Sequence, residues 1–437
     1  MALPSANQLI FSNRASFFMA GFCIAAWAPM IPFVKDRFGL DEHNLGLLLL
    51  CVGIGSFISM PTSSWLSSRF GCRAPIFVSA LIVALCLVSI PFISNIYLLG
   101  LVLFIMGINA VALDVISNIA GALVEQVTAR NIMSGLHGLY SVGGFCGSLS
   151  VTFLLSAGLP LHLAGIYAAA ILLIVTLLGS RNLLTTVYFN EHNQPLSRAQ
   201  YLENEASKRQ TASASGAQRT SHWQYYLHPI VLLIGLMCFI MFMTEGSMLD
   251  WSGVFLHTER GFALEHAGYG YAAFAIMMTM CRLTGDKVVT KLGRKRVLLA
   301  STWFIIAGFI LAVRVEHYLA AFIGFALIGV GASNVVPQLV SVTAHIKEVP
   351  PHISVAIVNA IGFTGVLVGP ALIGFLAHAI TLSNTYLCQA GGVFLVFLLS
   401  LYLSRKLGAQ ISAVHGAAAT AADAAEATAT NSAPAEH

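Results

Sequence analysis

Charge is scarce in this chain. Only 9% of its 437 residues are Asp, Glu, Lys or Arg, whereas 57% are hydrophobic. A soluble globular domain carries about a quarter charged residues, so a chain this apolar is solvated mostly by lipid. The basic residues lie in short polar stretches rather than in one patch, which argues against binding to nucleic acid.

The chain also lacks the short motifs of metal, nucleotide and catalytic sites. Its eight cysteines are dispersed, with no Cys-x-x-Cys and no His–Cys cluster at metal spacing, so we expect no metal site, disulfide or cofactor. No Walker loop is present, so ATP is not the energy source, and no His-Glu-x-x-His or Gly-x-Ser-x-Gly indicates an enzyme. No ring of like charges repeats as in a channel, and no soluble domain long enough for a sensor is appended.

What the chain has instead is twelve apolar runs, each long enough to cross a bilayer. The predicted spans are 14–33, 45–66, 74–94, 97–123, 134–157, 161–184, 229–256, 267–290, 297–313, 318–346, 353–378 and 385–404. The polar stretch between the sixth and seventh runs is typical of a flexible linker. We therefore predict a six-helix bundle over 1–184, a cytoplasmic linker over 185–228, a second six-helix bundle over 229–404 and a disordered cytoplasmic tail over 405–437.

The distribution of Lys and Arg predicts the orientation. If the N-terminus is cytoplasmic, most Lys and Arg residues face the cytoplasm, and only Lys35, Arg37, Arg260 and Arg314 face the other side. Both termini and the linker are therefore expected in the cytoplasm. The apolar run that follows Arg14 is too long for a signal peptide, so we expect an uncleaved first span.

The two halves repeat each other. Five pairs of glycines are each 222 residues apart: Gly46 and Gly268, Gly71 and Gly293, Gly107 and Gly329, Gly143 and Gly365, Gly147 and Gly369. The same offset relates Arg73 to Lys295 and His137 to Asn359. Because each half has an even number of spans, the halves are parallel repeats related by an axis along the membrane normal.

The loop after the second span carries a recognisable motif. It reads Ser64-Trp-Leu-Ser-Ser-Arg-Phe-Gly-Cys-Arg73, and its second-half copy reads Lys291-Leu-Gly-Arg-Lys-Arg296. With twelve spans and a parallel repeat, this resembles the major facilitator superfamily, whose loop motif is Gly-x-Leu-x-Asp-Arg-x-Gly-Arg-Arg. The match lacks the motif's acid, since Ser68 stands at that position. The matching residues imply a cytoplasmic gate made of Arg69, Gly71, Arg73 and Gly293, with Arg282 and Asp286.

A narrower likeness concerns Leu113-Asp-Val-Ile-Ser-Asn118, Gly138-Leu-Tyr-Ser-Val-Gly-Gly144 and Glu245-Gly-Ser-Met-Leu-Asp-Trp251. These stretches are similar to a bacterial branch around the proton-coupled fucose permeases. In that branch an acid followed four residues later by Asn on the fourth span serves proton coupling and sugar binding, and Asp114 and Asn118 match that pair. Ala28 replaces the branch's other functional acid, on the first span, so fucose itself is not implied.

Ionisable groups at membrane depth are costly and usually face a cavity or a partner. Asp114 is the only acid within the first six spans, and we predict that it carries the coupled proton. Glu245 and Asp250 are predicted to bind substrate, although Asp250 with Trp251 could instead be an interfacial anchor. Arg282 and Asp286 are spaced i, i+4 and could simply pair with each other.

Neutral polar and aromatic side chains complete the predicted substrate site. Amides both donate and accept hydrogen bonds, which suits hydroxyl-rich solutes, but they can equally join one helix to another. His137 could titrate near neutral pH or simply pack as a neutral ring, and Trp27 could stack on a sugar. The predicted substrate-binding set is Trp27, Asn118, His137, Glu245, Asp250, Trp251, Asn334, Gln338 and Asn359.

The resemblance therefore implies an all-α membrane protein of twelve transmembrane helices in two six-helix bundles, with one substrate site between them near the midplane. We expect a secondary transporter in a bacterial inner membrane that works by alternating access. Its expected partners are a small polar solute, sugar-like in the first instance, protons and lipid, and we expect a monomer. Proton-coupled symport is the leading hypothesis, and a proton-driven efflux antiporter of the same fold is the alternative.

Overall fold

The computed structural model describes residues 4–128, 130, 132–188, 196, 200, 227–343, 346, 348–349 and 351–406. Over these residues the chain is helical and contains no strand. The first half forms α1 (Ala6–Trp27), α2 (Ile31–Phe38), α3 (Glu42–Phe70), α4 (Arg73–Ser89), α5 (Ile96–Thr128), α6 (Met133–Ser156) and α7 (Leu161–Gly179). The second half forms α8 (Pro229–Arg260), α9 (Tyr269–Leu292), α10 (Arg294–Arg314), α11 (Tyr318–Thr343), α12 (Pro351–Ile380) and α13 (Leu382–Lys406).

Each predicted span corresponds to a helix, which confirms the all-α membrane fold. Among the described residues, 11 helices are long and apolar enough to cross a membrane, if α1, α2 and the turn between them are taken as one. The remaining helix, α9, is less apolar because it carries Arg282 and several charged residues near its end. Most of the predicted linker and tail lie outside the described residues, so the predicted domain boundaries stay a prediction.

The first helix is longer than predicted at its N-terminal end. It begins at Ala6 because Ser5 and Gln8 form a capping box, in which Gln8 N donates to Ser5 Oγ and Ser5 N donates to Gln8 Oε1. The sequence signal for this box, a Ser followed three residues later by Gln, precedes an apolar run. It would have located the helix start.

The repeat seen in the sequence is also a repeat of helix crossings. Gly107 of α5 lies so close to α3 that a Cβ there would be 2.1 Å from the Val52 carbonyl oxygen. Gly329 of α11 lies in the same way against α9, where a Cβ would be 2.3 Å from the Phe274 carbonyl oxygen. Val52 and Phe274 are themselves 222 residues apart. The paired glycines therefore allow the same close helix contact in both halves.

The helices end at two opposite faces. The linker face holds the turns at Gly71 and Gly293 and the start of α8, whereas the far face holds the turns around Gly39, Gly158 and Gly261. Between the two halves, α3 packs on α12, α6 packs on α9, and α2 packs on the far-face end of α8.

The contacts between the halves are very close at the far face. A Cβ on Gly374 of α12 would lie 2.5 Å from the Glu42 carbonyl oxygen at the start of α3. A Cβ on Gly268, just before α9, would lie 2.2 Å from Thr152 Oγ1 of α6 and 2.8 Å from Pro29 Cβ. At Gly374 backbone meets backbone, and at Gly268 the side chains of the other half leave no room for a Cβ. The two halves are therefore closed against each other at the far face.

Candidate functional site

One acid lies near the middle of α5. Asn118 Nδ2 donates to Asp114 Oδ1 at 3.0 Å and to the Asp114 carbonyl oxygen at 2.9 Å. Both side chains are half-buried. The i, i+4 spacing puts them on one face of the helix, as predicted, and the amide orients the carboxyl group. A carboxyl group held in this way can accept and release a proton.

A second charged pair lies at a similar depth in the other half. Arg282 Nη2 of α9 lies 3.3 Å from both Oε1 and Oε2 of Glu245, which is midway along α8. The side chains are 33% and 17% exposed, respectively. Each charge thereby neutralises the other at a depth where either one alone would be expensive.

The structure gives Arg282 a partner that the i, i+4 spacing did not predict. That spacing pointed to Asp286 on the same helix and to a gate at the linker face. Arg282 reaches across to Glu245 of α8. The side chain of Asp286 lies outside the described residues, so its pairing with Arg282 and the gate role of both residues stay predictions.

Two tyrosines lie along the contact between the two halves. Tyr140 is on α6, where the carbonyl oxygen of the next residue, Ser141, accepts from Thr279 Oγ1 of α9 at 3.5 Å. Tyr271 is on α9, and a Cβ on Gly144 of α6 would lie 4.0 Å from its hydroxyl oxygen. Both phenols therefore belong to the contact between α6 and α9.

Neither tyrosine is in the predicted substrate-binding set, which consists of charged, amide, imidazole and indole side chains. A signal for them exists. Tyr140 follows Gly138 by two residues, and Tyr271 directly follows Gly270. A phenol beside a glycine in a predicted span has both a polar tip to satisfy and space in which to place it.

One predicted substrate residue is exposed near the linker face. His137 lies near the linker-face end of α6, is exposed, and meets Phe17 of α1 edge-on with ring centroids 5.3 Å apart. Arg282 of the opposite half is also exposed, whereas the two halves are in close contact at the far face.

The two predicted tryptophans are not exposed in this conformation. Trp27 is 2% exposed and Trp251 is 0% exposed. In the described part of the chain, neither indole Nε1 has a hydrogen-bond partner. Stacking of Trp27 or Trp251 on a solute therefore stays a prediction that needs a rearrangement. Asp250 is half-buried on α8, one residue before Trp251.

The three predicted amides of the second half lie in different surroundings. Asn334 lies against Gly285 of α9 and donates to Ser333 Oγ at 2.8 Å. Gln338 accepts from Arg294 Nε at 2.8 Å, which ties it to the linker-face end of α10 rather than to the centre. Asn359 is half-buried on α12. Gln338 therefore lies near the linker-face end of α11, and its contact with substrate stays a prediction.

The predicted gate loop is built around Gly71. This residue ends α3 with φ +72°, and a Cβ there would lie 2.1 Å from the Thr185 carbonyl oxygen. Cys72 N and Arg73 N both donate to the Leu184 carbonyl oxygen, at 3.0 and 3.1 Å. The loop is therefore held in place by hydrogen bonds to the segment that follows α7.

The other gate residues surround the same kind of turn. The Arg69 guanidinium lies 5.7 Å from the ring centroids of both Trp65 and Phe70. Gly293, the repeat mate of Gly71, ends α9 with φ +82°. The tight glycine turns are thus present in both halves, and the gating role of the basic side chains stays a prediction.

Comparison with known proteins agrees with this architecture. A model of the Major Facilitator Superfamily matches residues 15–353. An uncharacterized MFS-type transporter of Yersinia pestis is 40% identical over 389 residues, which cover 89% of this chain and 93% of that protein. Membrane protein MosC of Rhizobium meliloti is 27% identical over 409 residues, which cover 93% of each chain. A solved structure of a mutant of the nucleoside transporter NupG shares the fold with a TM-score of 0.69 at 16% identity, over 90% of this chain and 99% of that one. The chain therefore belongs to the Major Facilitator Superfamily of membrane transporters.

Proposed function

We propose that this transporter carries a small, hydroxyl-bearing solute, sugar-like in the first instance, together with a proton, and that Asp114 carries the proton. One observation supports the proposal above all. Glu245 is neutralised by Arg282, whereas among the described residues Asp114 is bonded to an uncharged amide and forms no salt bridge. Of these two acids, Asp114 is the one whose negative charge is less well compensated at membrane depth.

Loss of water around a carboxyl group favours its neutral form. When the space between the bundles is open, a proton from solvent can bind Asp114, and closure of the bundles then buries a neutral group. A protonated carboxyl can also donate a hydrogen bond to a solute hydroxyl, while Asn118 can bond a second one. Coupling needs only that the solute binds better to the protonated form, because by linkage the proton then binds better to the loaded form.

The polar groups near Asp114 favour a solute of low net charge. In the second half, Glu245 and Arg282 present an acceptor and a donor side by side, and the hydroxyls of Tyr271 and of Tyr140 in the first half can each donate and accept. A solute with several hydroxyls can bond to both halves at once. A strongly anionic solute would face the acids Asp114 and Glu245 with only one arginine to offset them.

The test uses Asp114→Asn, which imitates the protonated acid. A thermal-shift screen of hexoses, pentoses, polyols and nucleosides on the purified protein supplies the solute, and its radiolabelled form is used in proteoliposomes. We expect Asp114→Asn to retain counterflow within a few-fold of wild type, and to lose accumulation driven by a pH gradient. Asn109→Ala is the matched control, because the Asn109 amide donates to the Ile105 carbonyl of the same helix at 2.8 Å.

Two results would change the proposal. If Asp114→Asn still concentrates solute when a pH gradient is imposed, the proton travels elsewhere and the role of Asp114 is refuted. If the gradient drives wild-type solute flux against the direction of proton flow, the protein is the proton-driven antiporter and not a symporter.

A further inference from the structure

Two histidines of the second half face two aspartates of the first half at the far face. His257 Nε2 of α8 lies 3.1 Å from Asp36 Oδ2 of α2. His378 Nδ1 of α12 lies 3.7 Å from Asp41 Oδ2, at the start of α3. Both pairs cross between the bundles, so each is made when the far face is closed and is broken when it opens.

Both ring nitrogens of His257 face hydrogen-bond acceptors. While its Nε2 faces the Asp36 carboxylate, its Nδ1 lies 3.0 Å from the Phe262 carbonyl oxygen. Both partners are hydrogen-bond acceptors, and a neutral imidazole has a single N–H. Only the doubly protonated imidazolium can donate to both at once. In the neutral ring, one nitrogen lone pair would point at an oxygen.

We propose that His257 is a proton-binding site separate from Asp114, and that its charged form holds the far face shut by bridging to Asp36. Loss of the proton removes the ion pair, and the deprotonated ring nitrogen then points its lone pair at an oxygen of Asp36 or Phe262. This repulsion favours separation of the bundles at the far face. The His378–Asp41 pair is longer and more exposed, with side chains 57% and 42% accessible, so it adds a weaker contact of the same kind. We call the His257–Asp36 ion pair the far-face latch. Neither the solute nor Asp114 takes part in this latch, so the proposal does not depend on the proposed function.

The other charged groups of the far face are engaged mostly within their own bundle. Lys35 pairs with Glu42 at 3.4 Å, and Arg37 donates to the Ile90 and Pro91 carbonyls. Arg260 donates to the Ala312 and Val313 carbonyls, and Glu259 accepts from Ser383. The remaining titratable groups on the elements packed here are His43, which meets Phe375 and His378, and Glu265, His266, Arg314, Glu316 and His317.

Asp41 is already held in its ionised form. The Asn44 backbone N–H, followed by weaker attraction to His378 and His43, keeps the pKa of Asp41 below its usual value despite some desolvation. The acid of this second pair therefore stays charged throughout the range in which histidines ordinarily titrate, about pH 5 to 8. With the orientation predicted from Lys and Arg, acid outside the cell would favour closure of the far face.

The test measures opening of the far face directly. Spin labels are placed at Ser94→Cys and Val315→Cys, two exposed positions on far-face loops of opposite bundles, with the eight native cysteines replaced by alanine. Electron–electron double resonance in lipid nanodiscs then gives the distance distribution at pH 5.5 and 8.0. The parent is the labelled protein without any further substitution. For the parent, we expect the open-to-closed ratio to rise about three- to tenfold from pH 5.5 to pH 8.0, given the strength of two partly exposed ion pairs.

Substitutions at His257 separate the latch from other titrations. His257→Gln should be more open than the parent at pH 5.5 and should lose most of the pH dependence, with the remainder left to the His378–Asp41 pair. His257→Lys, which keeps a charge, should stay mostly closed at both pH values. His162→Gln is the matched control, because His162 lies on the far-face side of one bundle and contacts Phe92 of that same bundle. It should keep the parent's pH dependence. A His257→Gln protein that keeps that dependence, or a parent that shows none, would overturn the proposal.

Discussion

Replacing Gly71 with alanine tests how firmly the gate loop is fixed. Gly71 has φ +72° and ψ −171°, a backbone conformation used almost only by glycine, and a residue with a Cβ is strained there by about 1–3 kcal/mol. The new Cβ would also lie 2.1 Å from the Thr185 carbonyl oxygen and 2.3 Å from its carbon. No rotamer change relieves this overlap, because both atoms belong to the backbone. Either the loop or the chain after α7 has to move.

Such a movement disturbs the hydrogen bonds that fix the loop. Cys72 N and Arg73 N both donate to the Leu184 carbonyl oxygen, and each bond contributes about 0.5–1.5 kcal/mol. Strain and the loss of both bonds together predict a destabilisation of about 2–6 kcal/mol for Gly71→Ala. Gly71→Val, with a branched side chain, should lose more stability, and it should also reduce transport if the loop acts as a gate.

Gly39→Ala provides the matched control. Gly39 also has a positive φ, +58° with ψ +39°, but nothing lies within 4 Å of the position of its Cβ. Its substitution therefore carries only the left-handed backbone strain, about 1–2 kcal/mol. Thermal unfolding of both purified variants at one scan rate should show at least twice the loss of melting temperature for Gly71→Ala. Equal losses would mean that the contacts of the loop with Leu184 and Thr185 do not hold it in place, and the reasoning would be refuted.

Four further outcomes are expected. Glu245→Gln should reduce transport more than Glu245→Asp, with a loss of about 1–3 kcal/mol in the free energy of solute binding. The reason is that Glu245→Gln leaves Arg282 without a charged partner, although Arg282 is a third exposed. If both variants behave like wild type, Glu245 is peripheral. Tyr271→Phe should weaken solute binding about three- to tenfold in a titration by thermal shift, because it removes one hydroxyl from the site, and an unchanged affinity would remove Tyr271 from it. Arg73→Ala should leave the melting temperature unchanged, since the side chain is exposed and the backbone N–H remains, yet reduce transport if the charge gates; unchanged transport would count against gating. The Asn44 N–H lowers the pKa of Asp41 in the folded protein. The Asp41 carboxylate therefore stabilises the fold fully above the ordinary carboxyl pKa of about 3.9, and this stabilisation is lost as the pH falls below that value. Unfolding measured over a pH series should show that Asp41→Asn loses less stability than wild type on acidification.

Local order along each helix was readable from the sequence. Lipid offers no hydrogen-bond partners to the backbone, so an apolar run long enough to cross a bilayer has to be a helix. The pairing of Asp114 with Asn118 was predictable for a related reason, since residues four apart on a helix are neighbours whatever surrounds it. The glycine repeat likewise marks positions where helices touch, because only a missing side chain permits such contact.

What lies opposite each helix was decided by the tertiary structure. Arg282 had a local candidate partner four residues away, but packing of α9 beside α8 placed Glu245 within its reach. Gln338 was drawn to Arg294 for the same kind of reason, as the two meet only after α10 and α11 have packed. His257 and Asp36 are 221 residues apart, and no periodicity relates them. Helical propensity and burial act within a few residues and can be read from the chain, whereas the partner of a charge depends on how whole bundles dock.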